Sequence, residues 1–112
     1  MELVMTYAAS SAAFEVESLA SDTPQVSEVI SYLKSLAHPV RLKIACALME
    51  NEYSVGQLEQ QVNVHQPTLS QQLTVLREGG LVDTRREGKQ IFYRMKEEKS
   101  VELMVALSRI FA

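Results

Sequence analysis

Three prolines cut this chain into helices. Pro24, Pro39 and Pro67 each stand directly before an apolar run of helical period, and a residue without an N–H suits the first turn, where that donor has no partner. After Pro24, the residues Val26, Val29, Ile30, Leu33 and Leu36 repeat as one buried face, with Thr23 placed to cap it. After Pro39, "VRLKIACALMEN" is apolar nearly all round except at Arg41 and Lys43, which predicts a central helix packed on several sides. After Pro67, Leu69, Leu73 and Leu76 fall within a narrow arc. Pro67, Gln71, Thr74 and Glu78 lie opposite them, flanked by Thr68 and Ser70. Gly79 and Gly80 then stop the helix, as a left-handed C-cap would.

The segments between complete the order. "SVGQLEQQV" opens with Ser54 and Gln57 at capping-box spacing, so a short helix starts there. "NVHQ" leaves a tight turn before Pro67. "LVDTRR", "EGK" and "QIFYRM" read as two strands around a glycine-containing turn, a β-hairpin. A final helix, from about Glu97 to Ala112, is apolar over most of its circumference, with Glu102 and Arg109 sharing its polar strip. The predicted fold is therefore mainly α with a β-hairpin: a winged helix-turn-helix over residues 24–112. Residues 1–23 are low in pattern and are expected to form an extension, a frayed helix or disordered chain. An all-round apolar helix in so small a protein needs something to cover it, so a homodimer through the first and last helices is expected.

Charge is informative only by position. The net charge of −3 over 112 residues argues superficially against a nucleic-acid partner. Yet residues 1–37 hold five acidic groups against Lys34 alone, a local −4. Residues 66–94 hold Arg77, Arg85, Arg86, Lys89 and Arg94 against Glu78, Asp83 and Glu87, a local +2. No apolar run is long enough to span a bilayer, no basic segment heads a secretory signal, and one cysteine allows no intrachain disulfide. The expected location is the cytoplasm, away from membranes.

The helix after Pro67 carries amides and hydroxyls where a solubilising face would carry Glu and Lys. In a helix-turn-helix this second helix enters the major groove. A Gln amide matches the adenine N6 donor and N7 acceptor together, and Ser or Thr tolerates several bases. Gln66, Thr68, Ser70, Gln71 and Thr74 are the candidate base readers, with Arg77 nearer the backbone. Arg85, Arg86, Lys89 and Gln90 of the wing are candidates to grip phosphates or reach the minor groove. The expected partner is a palindromic double-stranded operator, read by two copies. A protein-interaction adaptor built on the same fold is the alternative. No GxSxG, P-loop, HExxH or dinucleotide fingerprint is present, and Gly56, Gly79, Gly80 and Gly88 take structural roles, so no enzyme and no cofactor is expected.

From "LAHPVRL" through "QPTLSQQLTVLREGGLV" to "KQIFYR", about Leu33 to Met95, the chain resembles the ArsR/SmtB family of winged-helix repressors, in particular its sulfide- and redox-responsive members. That resemblance implies a dimeric transcriptional repressor released from DNA by an inducer. The family's metal-sensing members place cysteines, or His and Asp, where this chain has "SVGQLEQQV" and "EEKSVELMVALSRIFA". His38 and His65 stand alone, so no metal site is expected. The sulfide-responsive members use two cysteines, one on the second helix and one near the end of the last. Cys46 matches the first, and is expected to be buried on the Leu42, Ala45 and Met49 face, with Arg41 and Lys43 as candidates to promote its thiolate. The second position falls at about Ala112, which is not cysteine. Three readings stay open: the switch is lost, Cys46 works with a low-molecular-weight thiol or its dimer mate, or the chain is an altered or shortened version.

Overall fold

The computed structural model describes residues 23–112. The extension expected over residues 1–23 lies outside them, apart from Thr23. Two compact units part between Ile30 and Ser31, within the first helix, α1 (Pro24–Leu36). Thr23 Oγ1 accepts a hydrogen bond from Val26 N at 3.3 Å, as a capping threonine should.

Helix α2 (Pro39–Glu50) follows at once, capped by His38, whose Nδ1 accepts from Val40 N at 3.1 Å. It is the central element, touching the two helices that follow it, the last helix and the wing. Ile44 and Ala45 are fully buried and Leu48 nearly so. Strand β1 (Tyr53–Ser54) was not legible in the sequence. Two residues carry no alternation, and they form a strand only because the wing supplies a partner.

Helix α3 (Val55–Val62) starts at the expected capping box. Ser54 Oγ accepts from Gln57 N at 3.3 Å, and Gln57 Oε1 accepts from Ser54 N at 2.9 Å. Ser54→Ala is expected to lower stability by about 1 kcal/mol. Urea melts of the two proteins check this, and coincident midpoints would mean that the cap contributes nothing. Asn63, in the left-handed region at φ 55°, ends α3 and opens the turn.

Helix α4 (Thr68–Glu78) begins one residue later than the proline suggested: Pro67 is its N-cap, after a cis Gln66–Pro67 bond. Leu69, Leu73 and Leu76 are fully buried beside Leu58 and Val62 of α3, which locks the two helices together. At the other end Gly80, not Gly79, takes the left-handed conformation (φ 84°). Leu81 N returns to Leu76 O at 3.1 Å and closes the cap.

Strands β2 (Val82–Glu87) and β3 (Gln90–Met95) form the expected hairpin around Gly88 and Lys89, with Gly88 at φ 63°. All pairings are antiparallel in the order β1-β3-β2, with Ser54 opposite Phe92 and Phe92 opposite Arg85. Helix α5 (Glu98–Phe111) closes the chain. Only Ser100 and Met104 are buried on it, while Val101, Val105, Ile110 and Phe111 are exposed.

The end of α1 differs from expectation in one respect. Ile30 and Leu33 of the expected face are exposed, 46% and 52%, while Leu36 is buried as expected and Tyr32 and Ser35 are buried with it. Gly79 has no side chain where Ser35 packs, which leaves room for this face of α1 against the end of α4. No helix among the described residues is long and apolar enough to cross a membrane.

Candidate nucleic-acid interface

The buried leucines of α4 fix which side of it faces out. Gln66, Thr68, Ser70, Gln71, Thr74 and Arg77 are all exposed. Some of these side chains are engaged with one another. Gln66 Oε1 accepts from Ser70 N at 3.1 Å and from Ser70 Oγ, and Thr74 Oγ1 donates to Ser70 O at 2.9 Å. Thr68 and Gln71 are exposed with no side-chain hydrogen bond to another described residue. Their full donor and acceptor capacity points outward.

The neighbouring Gln72 has a different task. Arg41 donates from NH1 to Gln72 Oε1 at 2.8 Å, from Nε to Ser35 O at 2.6 Å and from NH2 to Lys34 O at 3.2 Å. One guanidinium thus ties the last carbonyls of α1 to the middle of α4. This corrects the expectation that Arg41 promotes the Cys46 thiolate, since its guanidinium is held against α1 and α4. Sequence offered no sign of the tie, because Arg41 and Gln72 are 31 residues apart.

In the wing, alternation sends neighbouring residues to opposite faces. Arg86, opposite Ile91, shares a face with Thr84 and Tyr93, and Tyr93 lines a depression with Thr74, Arg77 and Glu78 of α4. Arg86, Lys89 and Gln90 are exposed around the hairpin tip. Arg85 lies on the other face and is occupied. It pairs with Glu52 and with Glu87 (2.9 Å), and its guanidinium sits 4.8 Å from the Phe92 ring centroid. The hydrogen bonds it donates to Glu87 and then to Glu52 hold its pKa above the usual arginine value. Arg94 lies 3.8 Å from Asp83.

Cys46 is exposed rather than buried, a correction with a simple cause. Ile44, Ala45 and Leu48 take the core face of α2, and Cys46 stands a third of a turn round from Ala45, above Leu42. Both line an apolar cavity of about 540 Å³ with Leu33, Leu36, Met104, Leu107, Phe111 and Ala112. Ala112, the position matched to the missing second cysteine, therefore borders the same cavity. Among the described residues no group of three or more His, Cys, Asp or Glu side chains is placed to hold a metal ion. His38 caps α2, and His65 stands exposed, 3.3 Å from Glu59.

Known proteins match this arrangement. The model of the family "Bacterial regulatory protein, arsR family" matches residues 38–84. The biofilm growth-associated repressor of Agrobacterium fabrum is 59% identical over 87 residues, 78% of this chain and 74% of that protein. The crystal structure of the transcriptional repressor BigR from Xylella fastidiosa superposes with a TM-score of 0.75 at 53% identity, covering 89% of this chain and 96% of that one. A homodimeric winged helix-turn-helix DNA-binding domain from Mycobacterium bovis superposes with a TM-score of 0.72 at 30% identity, covering 77% and 80%. The fold, the outward polar row on α4 and these likenesses agree, and the chain belongs to the ArsR family of bacterial regulatory proteins, as a DNA-binding transcriptional regulator.

Proposed function

We propose that this protein is a homodimeric repressor, acting in the cytoplasm on a palindromic operator and released by a reactive sulfur or redox signal at Cys46. The observation that carries the reading is the exposed Thr68 and Gln71 pair on a helix whose opposite face is wholly buried. A helix so anchored presents its polar groups rigidly, as base readout needs. Gln66, Ser70 and Thr74 extend the row, Arg77 stands nearest the phosphates, and Arg86, Lys89 and Gln90 hold the backbone from the wing. Residues 24–112 form the DNA-binding and dimerising domain.

Dimerisation is supported by the apolar surface that α1 and α5 leave open: Leu33, Val105, Ile110 and Phe111, the last 81% exposed. The homodimeric Mycobacterium bovis relative supports it too. Two copies of α4 about 34–36 Å apart would meet successive major grooves.

Cys46 borders the cavity between α2 and α5. Its thiolate would attack the S–S bond of a persulfide RSSH, forming Cys46–S–SH and releasing RS⁻. The added sulfur changes the packing of α5 on α2 and so the spacing of the two readers. A 100-fold weaker complex needs only about 2.7 kcal/mol of coupling.

Fluorescence anisotropy tests the reading, with the DNA upstream of the protein's own gene and a scrambled duplex near physiological salt. Binding to the upstream duplex is expected to be at least about 1,000-fold tighter. A low-molecular-weight persulfide is expected to release the wild type and not Cys46→Ser. Equal affinity for both duplexes, repeated with a pool of random sequences, would defeat the reading. Release of Cys46→Ser by persulfide would defeat the role of the cysteine.

A further inference from the structure

The wing holds an arginine that does not face the same way as its neighbours. Arg85 starts on β2, crosses above Phe92 on the central strand β3, and ends on Glu52, just before β1 on the far edge. It therefore spans all three strands of the sheet. Glu87, two residues along the same strand and face, takes a second donor at 2.9 Å. The strap is placed where the sheet is weakest, because β1 contributes only Tyr53 and Ser54 to its pairing with β3.

The root of the hairpin is held by Val82 in the core and by Tyr93 and Met95 packed against it, and the strap adds a tie further along, at Arg85 and Phe92. The hairpin tip is exposed from Arg86 to Ile91, and small rotations at its root become large displacements of Arg86 and Lys89. Arg85 also stands on the sheet face opposite Tyr93 and Arg86, the face that adjoins α4. A guanidinium that is ion-paired twice and stacked on a ring is held by these partners and has much of its charge neutralised before any phosphate approaches.

We propose that Arg85 is a positioning residue, which straps the wing to the α2–β1 junction through Glu52 so that Arg86 and Lys89 meet the DNA backbone. This rests on the DNA-binding reading above, and the two can fail separately. A rival assignment gives the opposite sign in one experiment. If Arg85 were a phosphate contact and Glu52 merely its competitor, Glu52→Gln would free the arginine, remove a negative charge and tighten binding. If Arg85 is the strap, Glu52→Gln weakens binding although the protein becomes less negative.

The experiment measures anisotropy on a duplex selected by the wild-type protein from a random pool, from 50 to 300 mM salt. Glu52→Gln and Arg85→Ala are each expected to weaken binding about fivefold, the product of two copies of a surface pair. The slope of log affinity against log salt should stay within about 0.5 of wild type, because no phosphate contact is lost. Tighter or unchanged binding by Glu52→Gln would overturn the proposal. So would a slope flattened by about 1.8 in Arg85→Ala, the loss of one contact in each of two subunits. A second readout needs no DNA. Amide hydrogen exchange across residues 82–95 is expected to quicken about twofold in both variants, the effect of one surface pair per protomer, with the α4 amides unchanged; unaltered exchange in the wing would overturn the strap. A wild-type protein that selects no duplex, while its wing exchange still depends on Glu52 and Arg85, would leave the strap standing and sink the DNA-binding reading.

Discussion

Gly79→Ala is expected to cost about 2 kcal/mol of stability, within the range for forcing one carbon into a filled site. A Cβ there would stand 1.8 Å from Ser35 Oγ, 3.0 Å from Ser35 Cβ and 3.3 Å from Val75 O. Backbone strain has no part in this, since Gly79 sits at φ −76°. The cost is entirely the approach of α1 to the end of α4. Ser35 cannot yield cheaply: it is 4% exposed, its Oγ donates to Ser31 O at 2.8 Å, and Ser31 Oγ in turn donates to Gly79 O at 3.1 Å. Removing the obstructing oxygen should therefore restore most of the loss. In urea or thermal melts, Ser35→Ala/Gly79→Ala is expected to lie within about 1 kcal/mol of wild type, a coupling of at least about 1 kcal/mol. A Gly79→Ala protein that melts like wild type would show that the two helices are further apart than this geometry requires. Loss without rescue would place the clash on Ser35 Cβ, which the alanine keeps, or on Val75 O.

That glycine pair shows what a single sequence can and cannot disclose. The stop at Gly79 and Gly80 was legible because helices end on residues free to adopt positive φ. Which glycine does so was not, because Gly79 is kept for contact with a serine 44 positions earlier. The same division runs through the molecule. Helices α2 to α5 and the hairpin announced themselves by period and punctuation, which are local. Strand β1 did not, because two residues become a strand only when Tyr93 and Phe92 stand beside them. Cys46 lay on a helix apolar on every side, where period cannot choose a buried face. The packing of Ile44, Ala45 and Leu48 made that choice and left Cys46 on the cavity wall. In the candidate interface, the outward row on α4 followed from three leucines at helical spacing. Arg85 and Arg86 looked alike in sequence, and only strand alternation and the distant Glu52 separate them.

Gln71→Ala is expected to have the largest effect on DNA. Gln71 N donates to Pro67 O at 3.1 Å, so the residue belongs to the first turn of α4, the part of such a helix that comes nearest base edges. Its amide is exposed and has no partner among the described residues, whereas the adjacent Gln72 is half-buried and held by Arg41. If each Gln71 contributes about 1.4 kcal/mol of base discrimination, two half-sites lose about 2.8 kcal/mol, a roughly 100-fold drop in operator affinity. Because glutamine carries no charge, affinity for a scrambled duplex and the salt slope should both stay as they were. Specificity should relax at one position in each half-site, most plainly where the wild type prefers adenine. Gln72→Ala is the internal control: it should lower the melting temperature through the lost Arg41 bond and leave the order of preferred bases unchanged. Competition binding across a set of singly substituted operators separates the two. An unaltered preference profile for Gln71→Ala would move the reading row away from this residue and toward Thr68 or Gln66. A flattened salt slope would mean that the substitution had shifted α4 itself, because an amide that only reads a base edge releases no counterions.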